Sequence, residues 1–506
     1  MLVKWVGVGD RHRDLSCAEH GSGGGDSTRL TESCDRRTFL SVCAAAGAGL
    51  IAGIPFGGAR PRPTPSQLRY QRRERALFLH FGVNTFTDRE WGTGEESPSV
   101  FDPSALDARQ WARCARSAGF RSMVLTAKHH DGFCLWPSAV TDHTVRGSPW
   151  RGGAGDVVRE FTDACRAEGL GAGLYLSPWD RHERSYGDSP RYNDFYVAQL
   201  TELLTRYGPI AEVWFDGANG EGPNGKRQTY DWDRFHRTVR RLQPEAVMFS
   251  DAGPDVRWIG NEDGMAGDPN WSIVDPLAVP FPGATGPAVE RMLQHGDPAG
   301  TVWRPGEADV SIRPGWFWHA AESARVKSVE ELIDLFFVSV GRNANVLLNV
   351  PPNRAGVLDD VDVARLASFS SELSAQFGEN AAGGSACASS EASGHGAGAT
   401  LDGDPDTWWS PRVEDRSPSL AVTFRKPARI GVIELAEAIQ NGQRVASHGV
   451  DALVGGVWQT IATGTTIGHK KLDRVPSMTV QGIRLRIASS IGAPQIATIA
   501  VWTGRP

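Results

Sequence analysis

Between residues 70 and 375, short apolar runs alternate with longer stretches in which apolar positions recur every three or four residues. The apolar runs are "LFLHFGVNTF", "RSMVLTAKHH", "GAGLYLS", "IAEVWFDG", "AVMFSD" and "NVLLNV". Their length and their β-branched and aromatic content predict buried strands. Between them, "LDARQWARCARSAG", "AGDVVREFTDACRAEG", "NDFYVAQLTELLTRYG", "DWDRFHRTVRRLQ" and "SVEELIDLFFVSVG" carry the helical period. Strands alternating with helices of this length predict βαβ units and a parallel sheet. No GxGxxG follows an early strand, which disfavours a dinucleotide-binding sheet. The α/β pattern fits a (β/α)8-like (TIM) barrel, with irregular or missing helices between residues 250 and 320. The helix "DVARLASFSSELSAQFG" closes this unit.

The pattern then changes. "ENAAGGSACASSEASGHGAG" is a run of small residues, and "PSLAVTFRKPARIGVIELAEAI", "GVDALVGGVWQTIAT", "QGIRLRIASS" and "PQIATIAVW" are short β-branched stretches broken by Gly, Pro or polar clusters. They predict an all-β sandwich of about 120 residues. The expected organisation is a leader over 1–60, a barrel over 61–378 and a sandwich over 379–506.

The leader carries its own pattern. Arg36-Arg37, then Phe39-Leu40 and a short apolar run to about Ile54, resembles a twin-arginine export signal, with cleavage near Ala59. The alternative is a short buried helix behind a polar tail. The run is too short and too rich in glycine to predict a membrane span. Export of this kind implies a bacterial protein working outside the cytoplasm, in the periplasm or beyond.

Composition narrows the classes further. The 506 residues carry a net charge of −6 and no long basic tract, which argues against nucleic acid as a partner. Of seven cysteines, Cys114, Cys134, Cys165 and Cys387 lie beyond the leader, without CxxC spacing, and are expected to be mainly buried free thiols. Seventeen tryptophans offer flat apolar faces with one N–H each, a surface suited to sugar rings as well as to cores.

In a parallel barrel the chemistry gathers where strands end. The polar residues at those ends are His80, the run Lys128-His129-His130-Asp131, Tyr175, Ser177, Asp216 and Asp251. Each alone is readable as a cap or a satisfied core group; Asp216, followed by Gly-Ala-Asn-Gly, is readable as a turn former. His129, His130 and Asp131 also admit a metal-dependent hydrolase. Adjacent residues on a strand end alternate in direction, so at most one of the two histidines is expected to point straight into the barrel.

The segments "HFGVNTF", "EWGTGEE", "AGFRSMVLTAKHHDGFCLWPS", "LYLSPWD" and "EVWFDGANG" resemble the retaining α-L-fucosidases of glycoside hydrolase family twenty-nine, over about residues 68–375. "RWIGNEDG", "RPGEADVSIRPGWFWH" and "NANVLLNVPPN" resemble the branch that prefers α-1,3/1,4-linked fucose. The resemblance implies Asp216 as nucleophile and Glu262 as acid/base, with Glu307 as runner-up. It implies a polar sugar shell of His80, Glu90, His129, His130 and Tyr175, and an aromatic one of Trp91 and Trp214, with Arg257 and Trp316 as further candidates. Trp214 is equally readable as packing behind Asp216, and Asp131, Trp136 and Asn349 as supports. The expected substrate is a fucosylated oligosaccharide or glycoconjugate, and no cofactor is required. A fucose-binding lectin on the same barrel is the alternative.

The C-terminal unit resembles discoidin, or coagulation-factor C-type, jelly-roll sandwiches that act as carbohydrate-binding modules, through "ATLDGDPDTWWSP", "GQRVASHGVDALVGGVWQTIATGTTIG" and "GIRLRI". Asp402 and Asp404 there suit a structural calcium, or alternatively form an Asp-Gly turn without metal.

Overall fold

The computed structural model describes residues 60–504, so the twin-arginine leader lies outside the described residues. Eight parallel strands close into a barrel: β1 (Arg75–Leu79), β2 (Ser122–Lys128), β3 (Gly171–Leu176), β4 (Glu212–Trp214), β5 (Val247–Ser250), β6 (Val256–Trp258), β9 (Gly306–Ser311) and β10 (Ala344–Asn349). A two-residue ribbon, β7 (Ile273–Val274) with β8 (Val302–Trp303), lies in the connection from β6 to β9. Around the ring the order is β1-β10-β9-β6-β5-β4-β3-β2. The alternation of strand residues sets the two faces. Phe78, Val124, Tyr175, Trp214, Phe249 and Leu347 pack together in one buried cluster, while Leu77, Leu79, Met123, Leu125, Leu174 and Val213 join another with the helices.

The helices start where acidic or hydroxyl side chains satisfy free backbone N–H groups. Asp107, Asp156 and Asp231 cap Ala108–Ser117, Val157–Ala167 and Trp232–Leu242, and Ser328 with Glu331 forms a capping box on Val329–Val338. Only residues 251–255 separate β5 from β6, where a regular barrel would carry a helix. β6 and β9 were absent from the predicted strands. β6 has three residues, and β9 reads Gly-Glu-Ala-Asp-Val-Ser, with polar groups where an apolar alternation would have marked a strand.

From Gly384 onward the chain is an antiparallel β sandwich, in the order β11-β12-β15-β13-β14 with β16 on β12. Its strands are β11 (Gly384–Ala388), β12 (Ser419–Glu437), β13 (Val445–Val454), β14 (Val457–Gly464), β15 (Lys471–Ser490) and β16 (Ile496–Trp502). β12 and β15 run on through register shifts at Thr423/Ala428 and Ile430/Val432, irregularities that let one strand serve both layers. The sandwich docks near the N-terminal ends of β1 and β10. Glu74, just before β1, pairs with Lys470 at 2.8 Å and His469 at 3.2 Å, and Asn343, just before β10, accepts the His469 N–H at 2.7 Å. The four cysteines of these domains are unpaired; Cys134 and Cys165 are buried, Cys114 is half-buried and Cys387 is exposed.

Candidate active site

Asp216 lies two residues past the end of β4, at the C-terminal mouth of the barrel. Its Oδ1 accepts the Ala218 N–H at 2.7 Å, which fixes the carboxylate plane through a local turn. Its Oδ2 accepts the Tyr175 hydroxyl at 3.0 Å and lies 3.8 Å from His130 Nε2.

Three imidazoles line the same space, and burial lowers the pKa of each. His80 is pushed down to about 3. Its tautomer follows from Asn349, whose Nδ2 donates to Ser311 Oγ at 2.9 Å and to the Trp316 carbonyl at 2.8 Å. The Asn349 oxygen therefore faces His80 Nδ1 at 2.8 Å and accepts its proton, so Nε2 is left as an acceptor. His130 follows the same logic. Ser177 Oγ donates to the Trp179 carbonyl at 2.6 Å, so it accepts from His130 Nδ1 at 2.7 Å. His130 Nε2 is then an acceptor beside Asp216, and a hydroxyl between the two would donate to either. His129 stacks on Tyr175 (5.9 Å, 20°), and its buried Nδ1 has no hydrogen-bond partner.

The two histidines stand 4.1 Å apart, and both belong to the pocket, contrary to the expectation of one. A register shift between β2 and β3 at Thr126/Lys128 re-aims the strand end. Lys128 turns the other way, to Asp180 at 2.7 Å and Gln199 at 2.9 Å. Asp131 accepts from Phe133 N and Asn84 Nδ2, and Trp136 donates to Glu202. Both support the loop. Among the described residues no three His, Cys, Asp or Glu side chains converge to hold a metal; Asp131 Oδ2 lies 4.0 Å from His129 Nδ1 but is taken up by Asn84.

Glu90 accepts the backbone N–H groups of Trp316 (2.8 Å) and Phe317 (3.2 Å) and pairs with His319 at 2.7 Å, so it organises the 315–319 loop. That loop sets Trp316 against His80, 5.1 Å between ring centres. Trp91, 47% exposed, stands edge-on to His130 and to Trp179. Trp214 faces the barrel interior, stacked on Phe249 at 4.2 Å, and donates to Glu307 at 2.9 Å. It forms floor rather than wall.

The second carboxyl at the mouth is Glu262, four residues past β6. Although the side chain reaches solvent, crowding by protein and the charge of Asp216 raise its pKa to about 7, against the opposing hydrogen bond from the Trp316 side chain. Glu307 is in a different place. It is 1% exposed beneath Trp214, holding Tyr70 Oη at 2.5 Å, beside Glu212. Burial and the neighbouring Glu307 push Glu212 well above the usual carboxylate range. Glu307 as runner-up acid/base is therefore corrected: it is a floor support. Arg257 is corrected too. Its guanidinium is committed to the Leu293 and Arg304 carbonyls and to Asn270 Oδ1, away from the mouth, because alternate residues of β6 face opposite sides.

Asp309 was missed in the sequence. It projects from β9 with Glu307 and Ser311, takes the Trp258 N–H at 2.6 Å, and is raised well above its usual range by burial and then by Glu262. The alternation of Glu307, Asp309 and Ser311 was its only signal.

In the sandwich, Asp402 Oδ1 accepts the Asp404 N–H and Asp404 Oδ1 accepts the Asp406 N–H, the turn alternative. The Thr407 hydroxyl also lies 2.7 Å from Asp402 Oδ2, 3.2 Å from the Asp404 carbonyl and 3.4 Å from the Ala399 carbonyl. Those oxygens suit a hard cation.

A barrel mouth with one carboxylate fixed at a strand end, a second carboxyl raised to about pKa 7 by desolvation and then by the first, and neutral imidazoles and indoles around them defines a glycoside hydrolase. The particular family follows from comparison. The alpha-L-fucosidase family matches residues 68–271 and 282–376, and the F5/8 type C domain matches residues 385–501. Alpha-L-fucosidase 1 of Arabidopsis thaliana is 47% identical over 421 residues, 82% of each chain. The solved structure of SpGH29 has a TM-score of 0.83 at 40% identity, covering 88% of this chain and 99% of that one. The Ruminococcus gnavus GH29 fucosidase, solved in complex with fucose, has a TM-score of 0.81 at 34% identity, covering 90% and 97%. The chain belongs to the α-L-fucosidase family of retaining glycoside hydrolases.

Proposed function

We propose that this α-L-fucosidase is exo-acting and removes terminal α-1,3- and α-1,4-linked L-fucose from glycans, with Asp216 as nucleophile and Glu262 as acid/base. The observation that carries the roles is the placement of the two carboxyls at the mouth, Asp216 fixed by Ala218 and Tyr175, and Glu262 raised to about 7 by desolvation and then by the Asp216 charge. An ionised Asp216 attacks the anomeric carbon while protonated Glu262 gives its proton to the departing glycan oxygen. Glu262, now a carboxylate, then removes a proton from the water that releases fucose with retention. The bare nitrogens of His80 and His130 accept sugar hydroxyls, and Trp316 and Trp91 lie against the ring's apolar face. A lectin would use the same imidazoles but has no need of a carboxyl poised to exchange its proton near neutrality. Calcium at Thr407 would tie the Asp402 loop and supply no chemistry at the mouth. The protein is exported before it acts; lysine at both Arg36 and Arg37 is expected to hold it in the cytoplasm, and unchanged export would discard the signal.

The test is a panel of α-1,2, α-1,3, α-1,4 and α-1,6 fucosides with products identified by mass spectrometry, alongside Asp216→Gly. Cleavage of the α-1,3 and α-1,4 bonds and inert Asp216→Gly are expected. Azide added to that variant, with an activated fucoside, is expected to give the β-fucosyl azide by filling the vacated space. Cleavage of α-1,2 bonds alone would overturn the linkage, and a fully active Asp216→Gly the nucleophile.

A further inference from the structure

The α-L-fucosidase family match breaks between residues 271 and 282, so the segment in between is outside the shared pattern. It reads "SIVDPLAVPF", and two of its apolar residues face solvent: Leu277, 84% exposed, and Phe281, 55% exposed. Ile273, Val274 and Val279 of the same segment are buried, so the exposed ring of Phe281 asks for a reason.

Its placement supplies one. Phe281-Pro282-Gly283-Ala284 is a β-turn, with the Ala284 N–H donating to the Phe281 carbonyl at 3.1 Å and Gly283 at φ 84°. Proline second and a left-handed glycine third is the sequence that a type II turn requires. The turn lies directly against the residue after the nucleophile. Gly283 N–H donates to Asp251 Oδ2 at 2.8 Å, and a Cβ on Gly217 would stand 2.6 Å from Gly283 N. Val279, on the other side of Phe281, is buried in a cluster with Val289 and Leu293 that packs against Trp258, at the end of the strand leading to Glu262. Phe281 is therefore pinned between two anchors, one beside Asp216 and one beside the Glu262 loop. Its Cα lies within about 7 Å of Gly283's, the reach of two residues.

Resting on the assignment of Asp216 and Glu262 above, we propose that Phe281 is the platform for the leaving group: its ring stacks on the apolar face of the sugar that carries the fucose. A group departing between a nucleophile and an acid must emerge at the mouth they share, and Phe281 is an exposed aromatic on a turn anchored beside both. A pyranose offers a face of C–H groups, and a flat ring carried on an anchored turn covers it with little ordering cost.

The test compares a fucosylated trisaccharide with α-L-fucosyl fluoride, whose leaving group is a halide with nothing to stack. Phe281→Ala is expected to lower kcat/KM for the trisaccharide about three- to tenfold, the worth of one aromatic contact, with Phe281→Trp restoring it. Turnover of the fluoride should change less than twofold. Equal losses on both substrates would overturn the proposal, because the residue would then act through the turn beside Asp216; so would no loss on either. Asp216→Gly assayed in parallel separates the two readings: if it hydrolyses the fluoride normally, the site assignment itself has failed.

Discussion

Asp216 uses its two oxygens differently. Oδ1 takes the Ala218 N–H, as any turn-forming aspartate would, and Oδ2 faces Tyr175 and the pocket. The turn and the chemistry are one device, since the backbone bond aims the oxygen that reacts. Glu262 carries the pH dependence. It must be protonated to donate, its pKa is raised to about 7 by the crowding of protein around it and then by Asp216, and it ionises as pH rises through that value. Turnover of natural glycans is therefore expected to fall on the alkaline side of about pH 7. Glu262→Gln should erase that limb and slow glycan cleavage by about 10²–10⁴-fold, the usual worth of a positioned acid. A nitrophenyl fucoside, which leaves without a proton, should lose far less in its first step. A pH–rate profile of the variant that keeps the alkaline limb would reassign the acid.

At the scale of elements, the mouth depends on how closely the connections after β4 and β5 approach that after β6. Gly217 and Gly283 meet backbone to backbone, and a methyl on Gly217 would also come within 2.8 Å of Asp251 Oδ2. None of these atoms is the end of a flexible side chain except the carboxylate. Gly217→Ala should force the two loops apart at the nucleophile, with a stability loss of about 1–3 kcal/mol for overpacking and a kcat loss of up to about 100-fold for a misplaced group. Thermal denaturation and fucosyl fluoride turnover would measure each; wild-type values in both would mean the loops yield freely. β9 teaches a related lesson. Its inward residues Glu307, Asp309 and Ser311 support the site from below, so a strand that serves the site with polar groups is the one whose hydrophobic pattern is least legible.

In the whole molecule, barrel and sandwich are joined by apolar packing, with Val432, Leu472 and Trp502 against the barrel's helix layer, and by polar groups at the end of the barrel away from its mouth. Glu74 adopts φ 60°, left-handed for a residue with a Cβ, and pairs with Lys470 and His469. Burial would raise its pKa, but the Lys470 charge and the His469 hydrogen bond outweigh burial and hold it well below the usual carboxylate range. A depressed carboxylate contributes stability above its unfolded pKa of about 4.3 that is lost as pH falls through the folded value. Glu74→Gln should thus lower stability by about 2 kcal/mol at pH 7, with the gap from wild type closing in acid; an equal gap at all pH values would refute the pairing. Local pattern by itself determined the six apolar strands, the helices between them and the change to a sandwich, because burial writes itself into neighbouring residues; the candidate nucleophile and its histidines came from the family resemblance that "EVWFDG" and "AKHHDGF" carry. Only the tertiary structure decided that both histidines reach the pocket, that Arg257 turns away, that Glu307 lies under the floor and Glu262 at the rim. Those outcomes depend on strand register, barrel closure and the approach of loops distant in sequence, where a carboxylate at either depth is spelled with the same letter.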